Sequence, residues 1–192
     1  MIIGITGGTG CGKTTFLTCI ESLGGIVLDC DAIYHRLLRT DENMLRAIET
    51  RFPSTVTETG LDRKKLGAIV FADSAALQDL NAITHAAVKS VVLEQLQMHK
   101  GKLIAIDAIG LFEGDLAYLC DVTVAITAPE EDRIRRIMAR DGIAREYAQN
   151  RVNAQHPNEW FAQRCDYVLE NSSTADHFRT QCLAFLHTLG IM

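Results

Sequence analysis

The chain has 192 residues, 47% of them hydrophobic and 22% charged, and a net charge of −5. These values exclude the disordered and fibrous classes and suit one well-buried domain with room for an inserted lobe. The acidic balance argues against a nucleic-acid surface as the main partner and favours a local pocket for a small anion.

Six cysteines, at positions 11, 19, 30, 120, 165 and 182, show no CxxC spacing. Buried reduced thiols are therefore expected in place of zinc ligands or disulfides. No apolar run reaches the ~20 residues that span a bilayer. The first residues enter a strand-like run with no leader pattern, so a cytoplasmic protein with no membrane partner is expected.

Met1 to Ile5 is apolar, as in a parallel strand buried on both faces. Gly7 to Thr14 follows at once as GGTGCGKT, a complete GxxxxGK[ST] P-loop in its strand–loop–helix setting. Glycines let such a loop take positive φ so that successive N–H groups surround phosphate oxygens, while the helix that follows offers its positive end. Gly8, Thr9, Gly10, Cys11, Gly12, Lys13, Thr14 and Thr15 are the expected nucleotide-binding residues. Lys13 reaches the β- and γ-phosphates and the Thr14 hydroxyl takes a position on Mg²⁺.

Thr15 to Leu23 is helical in spacing, with Gly24 and Gly25 ending it, and Ile26 to Leu28 forms a second strand. That βαβ order predicts a parallel sheet. The second strand ends in Asp29, Cys30, Asp31, at the carboxyl edge where such sheets bind ligands. Either acid could cap the next helix; Asp31 is read as functional, and Asp29 stays open between the two roles.

Helices are expected over 33–39 and 43–52, then a polar loop over 53–60, then a short helix capped by Asp62. A longer one runs from Asp73 to about Met98. This block is too long for a simple crossover and reads as a substrate-binding lobe or a plain helical insertion. Leu103 to Ile106 is a third strand closed by Asp107, where P-loop proteins hold Mg²⁺ or its water. Asp107 to Gly110 also spells DxxG, but no NKxD for guanine is present.

Val122 to Ile126 is a fourth strand, and Glu130 to Arg140 a helix with acids first and arginines later. Arg133 and Arg135 read as a solvated basic face. Arg140 precedes the helix-breaking Asp141, Gly142 and reads as a lid arginine able to approach developing phosphoryl charge. Helix resumes over Arg145 to Gln155, placing Arg151 and Gln155 on one face. Tyr167 to Leu169 is a fifth strand and Ala175 to Leu189 a closing helix.

The expected architecture is α/β, a P-loop nucleoside-monophosphate-kinase-like three-layer fold with a five-stranded parallel sheet, a helical substrate-binding insertion and a lid. One kinase domain, 1–192, would divide into a nucleotide-binding core (1–31, 101–128, 166–192), the insertion (32–100) and the lid (129–165).

In order, the runs GITGGTGCGKTT, VLDCDAIYH, LDRKKLGAIVF, LFEG, RRIMARDG with AREYAQNRVNAQ, and CDYVLEN resemble the dephospho-coenzyme A kinase family over nearly the whole chain. The chain has Cys30 between its two acids where many members have alanine, lacks the proline of the usual PLLFE at Gly110, and has Ala86 after His85 where a proline is often seen. The resemblance implies transfer of the γ-phosphoryl of ATP to the ribose 3′-hydroxyl of dephospho-CoA, with Mg²⁺, in a monomer or weak homo-oligomer. It implies Asp31, Lys13 and Arg140 as catalytic residues, Thr14 and Asp107 at the metal, and Asn171 with its loop at adenine. His35, Leu66, Val70, Phe71, Ile83 and His85 become acceptor-pocket candidates, the apolar ones equally suited to a core. Rival readings are another small-metabolite or nucleoside monophosphate kinase, and a guanine-nucleotide switch.

Overall fold

In the computed structural model, which describes residues 1–58 and 60–191, the chain forms two compact units. One comprises Met1–Leu28, Gly101–Leu111 and Leu116–Met192; the other comprises Asp29–Lys100 and Phe112–Asp115.

The first unit is built on a parallel sheet. Its strands are β1 (Ile2–Thr6), β2 (Ile26–Asp29), β5 (Ile104–Asp107), β6 (Val122–Thr127) and β7 (Tyr167–Glu170), in the order β2-β5-β1-β6-β7. β1 lies centrally, with Ile3 opposite Ala105 on one side and Val122 on the other. A central strand covered on both faces must be apolar throughout, and Ile3, Ile5, Ile106, Val124 and Ile126 are all fully buried. Helix α1 (Lys13–Ser22) packs against the final helix α9 (Ala175–Thr188) through Phe16, Cys19, Ile20, Phe178, Cys182 and Leu186. Each of the larger side chains contributes about 1.5–3 kcal/mol by leaving water.

Three further helices belong to this unit: α6 (Glu130–Asp141), α7 (Arg145–Asn153) and the short α8 (Asn158–Ala162). α6 and α7 share a small core of Ile134, Ile137, Ala148 and Val152. Acids in the first turn of α6, Arg140 in its last and Gly142 at φ +65° after it give the helix favourable charges and a left-handed stop. α7 ends at Asn153, so Gln155 lies beyond the helix and not on the face expected for it.

The second unit is helical. It contains α2 (Cys30–Thr40), α3 (Glu42–Arg51), α4 (Arg63–Val70) and the 25-residue α5 (Ser74–Met98), against which the other three pack. Aspartate caps every one of them: Asp29, Asp41, Asp62 and Asp73 accept from first-turn N–H groups at about 2.8–3.0 Å. Such a cap contributes ~1 kcal/mol relative to alanine. The expected loop over 53–60 is partly a hairpin, in which β3 (Val56–Thr57) pairs antiparallel with β4 (Gly60–Leu61). Glu49 creates it, accepting from Ser54 N–H at 2.6 Å and Val56 N–H at 2.7 Å; these bonds also hold its carboxyl below the usual range.

Candidate active site

The loop between β1 and α1 has the form that its residue types require. Gly12 caps α1 with φ +100°, among the described residues no side chain caps that helix start, and no acid stands in its first turn. The positive end of α1 is therefore left for an external anion. Lys13 folds back over the loop, its Nζ donating to Gly7 O at 3.0 Å and standing 3.9 Å from Asp107 Oδ1 at the end of β5. Thr14 is exposed and Thr15 half-buried at the head of the helix.

The glycines do more than permit approach by a ligand. A Cβ on Gly8 would fall 2.1 Å from an Arg133 terminal nitrogen, and one on Gly12 would fall 2.3 Å from Asn171 Nδ2. Both positions are closed by protein. Arg133 is only 3% exposed, so the solvated role read for it is wrong. Its Nε donates to Thr9 O at 3.0 Å and its terminal nitrogen to Gln155 Oε1 at 3.0 Å. Burial pulls its basicity below the ordinary guanidinium range, an effect only partly opposed by neighbouring Glu130. Arg135, by contrast, is exposed and pairs with Asp132 at 2.7 Å, as a surface charge would.

Gln155 and Arg136 complete a ring that sequence reasoning missed. Gln155 accepts from Thr9 N–H at 2.8 Å and donates to Thr9 Oγ1 at 2.9 Å. Arg136 donates to Gly10 O and to both oxygens of Asn171 at 3.2 Å each. Asn171, expected near adenine, is 6% exposed and spends its amide on the loop, donating to Cys11 O at 3.0 Å. The residue therefore supports the loop. The signal available in advance was the i, i+3 spacing of Arg133 and Arg136 beside Ile134 and Ile137, a face that an apolar stripe turns inward.

Cys11 sits within the loop at 1% exposure, and burial raises its thiol despite the lowering influence of Lys13. Arg140 is exposed at the end of α6 and binds Asp141 through two bonds of 2.7 and 3.0 Å. Arg151 pairs with the same carboxylate. The hydrogen bonds from Arg140, followed by its charge and those of Arg151, bring the Asp141 carboxyl down to about 2.

Within the helical unit, Asp29 is the cap of α2, one of the two roles open for it, and Asp31 is an exposed acid in the first turn. His35 Nδ1 lies 3.4 Å from an Arg63 terminal nitrogen; both line a cavity with Leu38, Arg39, Leu45 and Leu61. His85 Nδ1 is 3.1 Å from Glu113 O. Ile83 lines an open groove with Leu37 and Met44, and Phe71 is 85% exposed. Leu66 and Val70, however, are buried core residues of α4, so they are removed from the acceptor-contact set.

Comparison with known proteins agrees with this geometry. The family model for dephospho-CoA kinase matches residues 1–177. A dephospho-CoA kinase of Thermus thermophilus is 35% identical over 189 residues, covering 98% of this chain and 92% of its own length. The crystal structure of TT1252 from Thermus thermophilus superimposes with a TM-score of 0.81 at 35% identity, covering 98% of this chain and 97% of that one. Dephospho-CoA kinase from Campylobacter jejuni gives 0.70 at 26% identity, with 100% and 98% coverage. A phosphate loop assembled as described, in a chain matched along its length by such relatives, establishes that this protein belongs to the dephospho-CoA kinase family.

Proposed function

We propose that the chain carries out its family's reaction, moving the γ-phosphoryl group of ATP to the ribose 3′-hydroxyl of dephospho-CoA to give CoA and ADP, the last step of coenzyme A synthesis. The observation that carries this reading is the uncapped start of α1 beneath a loop that Lys13 crosses. Loop N–H groups and Lys13 hold the triphosphate. Thr14 and Asp107 would hold Mg²⁺; a hydroxyl and a carboxylate suit a hard cation that takes one or two protein oxygens and completes its shell with phosphate and water. When bound, that ion neutralises charge on the β- and γ-phosphates.

Asp31 accepts a hydrogen bond from the 3′-hydroxyl, orients it in line and takes its proton late. A carboxylate suffices for this because the transition state is loose and positioning dominates. Its support is that Asp29 already caps α2, leaving Asp31 exposed and unneeded for capping. Arg140 exchanges Asp141 for the transferring oxygens. Arg39 and Arg63, beside His35, form a cationic lining suited to the diphosphate of the acceptor, with Ile83, His85 and Phe71 as further contacts. We further propose a cytoplasmic monomer or weak homo-oligomer with no nucleic-acid partner, in keeping with the net charge of −5. Among the described residues no helix is long and apolar enough to cross a membrane.

The test is ADP release from Mg·ATP, alone and with dephospho-CoA, AMP, CMP or shikimate. Stimulation by dephospho-CoA alone, with product phosphorylated at the 3′ position, is expected. Stimulation by another acceptor instead would discard the proposed pocket, and stimulation by none would discard the kinase reading.

A further inference from the structure

Three consecutive carbonyls of the phosphate loop are each held by a side chain from outside it. Thr9 O receives Arg133 Nε, Gly10 O receives Arg136, and Cys11 O receives Asn171 Nδ2. In a planar trans peptide the carbonyl of one residue and the N–H of the next point in opposite directions. Turning the carbonyls of residues 9, 10 and 11 toward this clamp therefore turns the N–H groups of Gly10, Cys11 and Gly12 away from it. Cys11 N–H goes to Gly8 O at 3.2 Å, which leaves the Gly10 and Gly12 N–H groups aimed to the side opposite the clamp. Converging N–H groups of this kind make an anion-binding concavity.

Thr9 is the most tightly specified member. Its N–H, carbonyl and hydroxyl are all engaged, the first and third by Gln155 and the second by Arg133, and Arg133 also binds Gln155. Arg133 is too deeply buried to touch a nucleotide. Its planar fork serves two acceptors at once through different nitrogens, which a lysine cannot copy.

We infer that Arg133 and Gln155 are positioning residues for phosphoryl transfer, acting through Thr9 to aim the N–H groups that receive the phosphates. The inference rests on the phosphate-loop reading of the site. It deepens that reading by assigning work to a lid-helix arginine and to a glutamine beyond α7, neither of which meets the substrate. Arg133 and Arg136 tie the first two turns of α6 to the loop, and Gln155 ties to it the stretch just past α7.

A brace acting on the phosphate seat must affect ligands according to their phosphates. The experiment compares wild type with Gln155→Leu, Gln155→Glu and Arg133→Lys. It measures dissociation constants for ATP and ADP directly and for adenosine by competition, steady-state constants with dephospho-CoA, and thermal midpoints. Gln155→Leu should weaken ATP and ADP binding by roughly tenfold, as loss of a partner to an engaged backbone group does, and leave adenosine affinity and the KM for dephospho-CoA at saturating ATP unchanged. Arg133→Lys should act in the same direction. Gln155→Glu keeps the acceptor for Thr9 N–H and Arg133, and should recover most of the ATP affinity. Equal losses for ATP and adenosine, or unchanged ATP affinity in folded Gln155→Leu, would overturn the inference. If the Arg133 variant does not fold, the two Gln155 variants decide alone. Failure of dephospho-CoA to stimulate the wild type would remove the proposed reaction, whereas the ATP-against-adenosine contrast would still judge the brace.

Discussion

Replacing Gly12 by alanine puts two separate structural demands in conflict with one methyl group. The residue lies at φ +100°, ψ 24°, where a side chain is strained by ~1–2 kcal/mol. The new Cβ would also stand 2.3 Å from Asn171 Nδ2, displacing a buried amide from Cys11 O. Leaving such groups without partners costs ~1–3 kcal/mol. The sum, about 2–5 kcal/mol, corresponds to a fall in Tm of roughly 5–15 °C for a chain of this size. The strain part is independent of Asn171 and the collision part is not, so a cycle with Asn171→Ala separates them. Unfolding by urea or heat should show the double variant less destabilised than the sum of the single ones by about 1–3 kcal/mol, because only one loss of the amide bond is then counted. Additivity within ~0.5 kcal/mol would refute the collision and with it the account of why this position is glycine.

Asp31→Asn should leave ATP affinity nearly intact and lower the phosphorylation rate ~10²-fold or more, read by single-turnover kinetics; collapse of nucleotide affinity would make Asp31 structural. Lys13→Ala should weaken ATP binding and turnover together, and full activity in that variant would remove the phosphate-loop assignment. Arg140→Ala should lower kcat by ~10³-fold with little change in ATP affinity, as for other arginines that meet transferring phosphoryl oxygens; an equal rise in the Kd for ATP would place it in ground-state binding instead. The Asp141 carboxyl, held at about 2 against an ordinary 3.8, adds stability that is complete above the ordinary value and lost as pH falls through about 2. Acid unfolding of wild type and Asp141→Asn should therefore differ by a constant amount above pH ~5 and converge toward pH ~2; convergence near neutrality would contradict it.

Much of the fold was readable because its signals are local. β1 and β6 are apolar because both faces are covered, and the glycine–lysine–threonine order of the loop has few alternative uses. Asp62 and Asp73 announced their helices through short-range capping. What escaped depends on contacts far apart in sequence. Arg133 meets Thr9 across 124 positions and Gln155 meets it across 146, and no spacing rule links such residues. A guanidinium inside α6 has the same composition whether it faces water or the loop, so charge alone pointed Arg133 outward. Asp29 could not be separated from Asp31 by type, since both are good caps; only the bond to Ala32 N–H distinguishes them. Leu66 and Val70 matched an acceptor pattern and a core pattern equally, and packing chose the core. The hairpin after Phe52 is held by Glu49, a residue inside the preceding helix, which no turn signal reports.

The buried thiols carry a practical consequence. Cys11, Cys19 and Cys182 are at most 1% exposed, and burial raises all three, Cys182 to about 12. Since the thiolate is the reactive form, alkylating reagents meet these sulfurs only when α1 separates from α9 or the loop opens. Cys11 belongs to the phosphate loop and Cys19 and Cys182 to α1 and α9, with all three in one core. Mass-resolved alkylation would thus time the opening of the loop and of the helix pair in the same sample, with the native cysteines as the only labels.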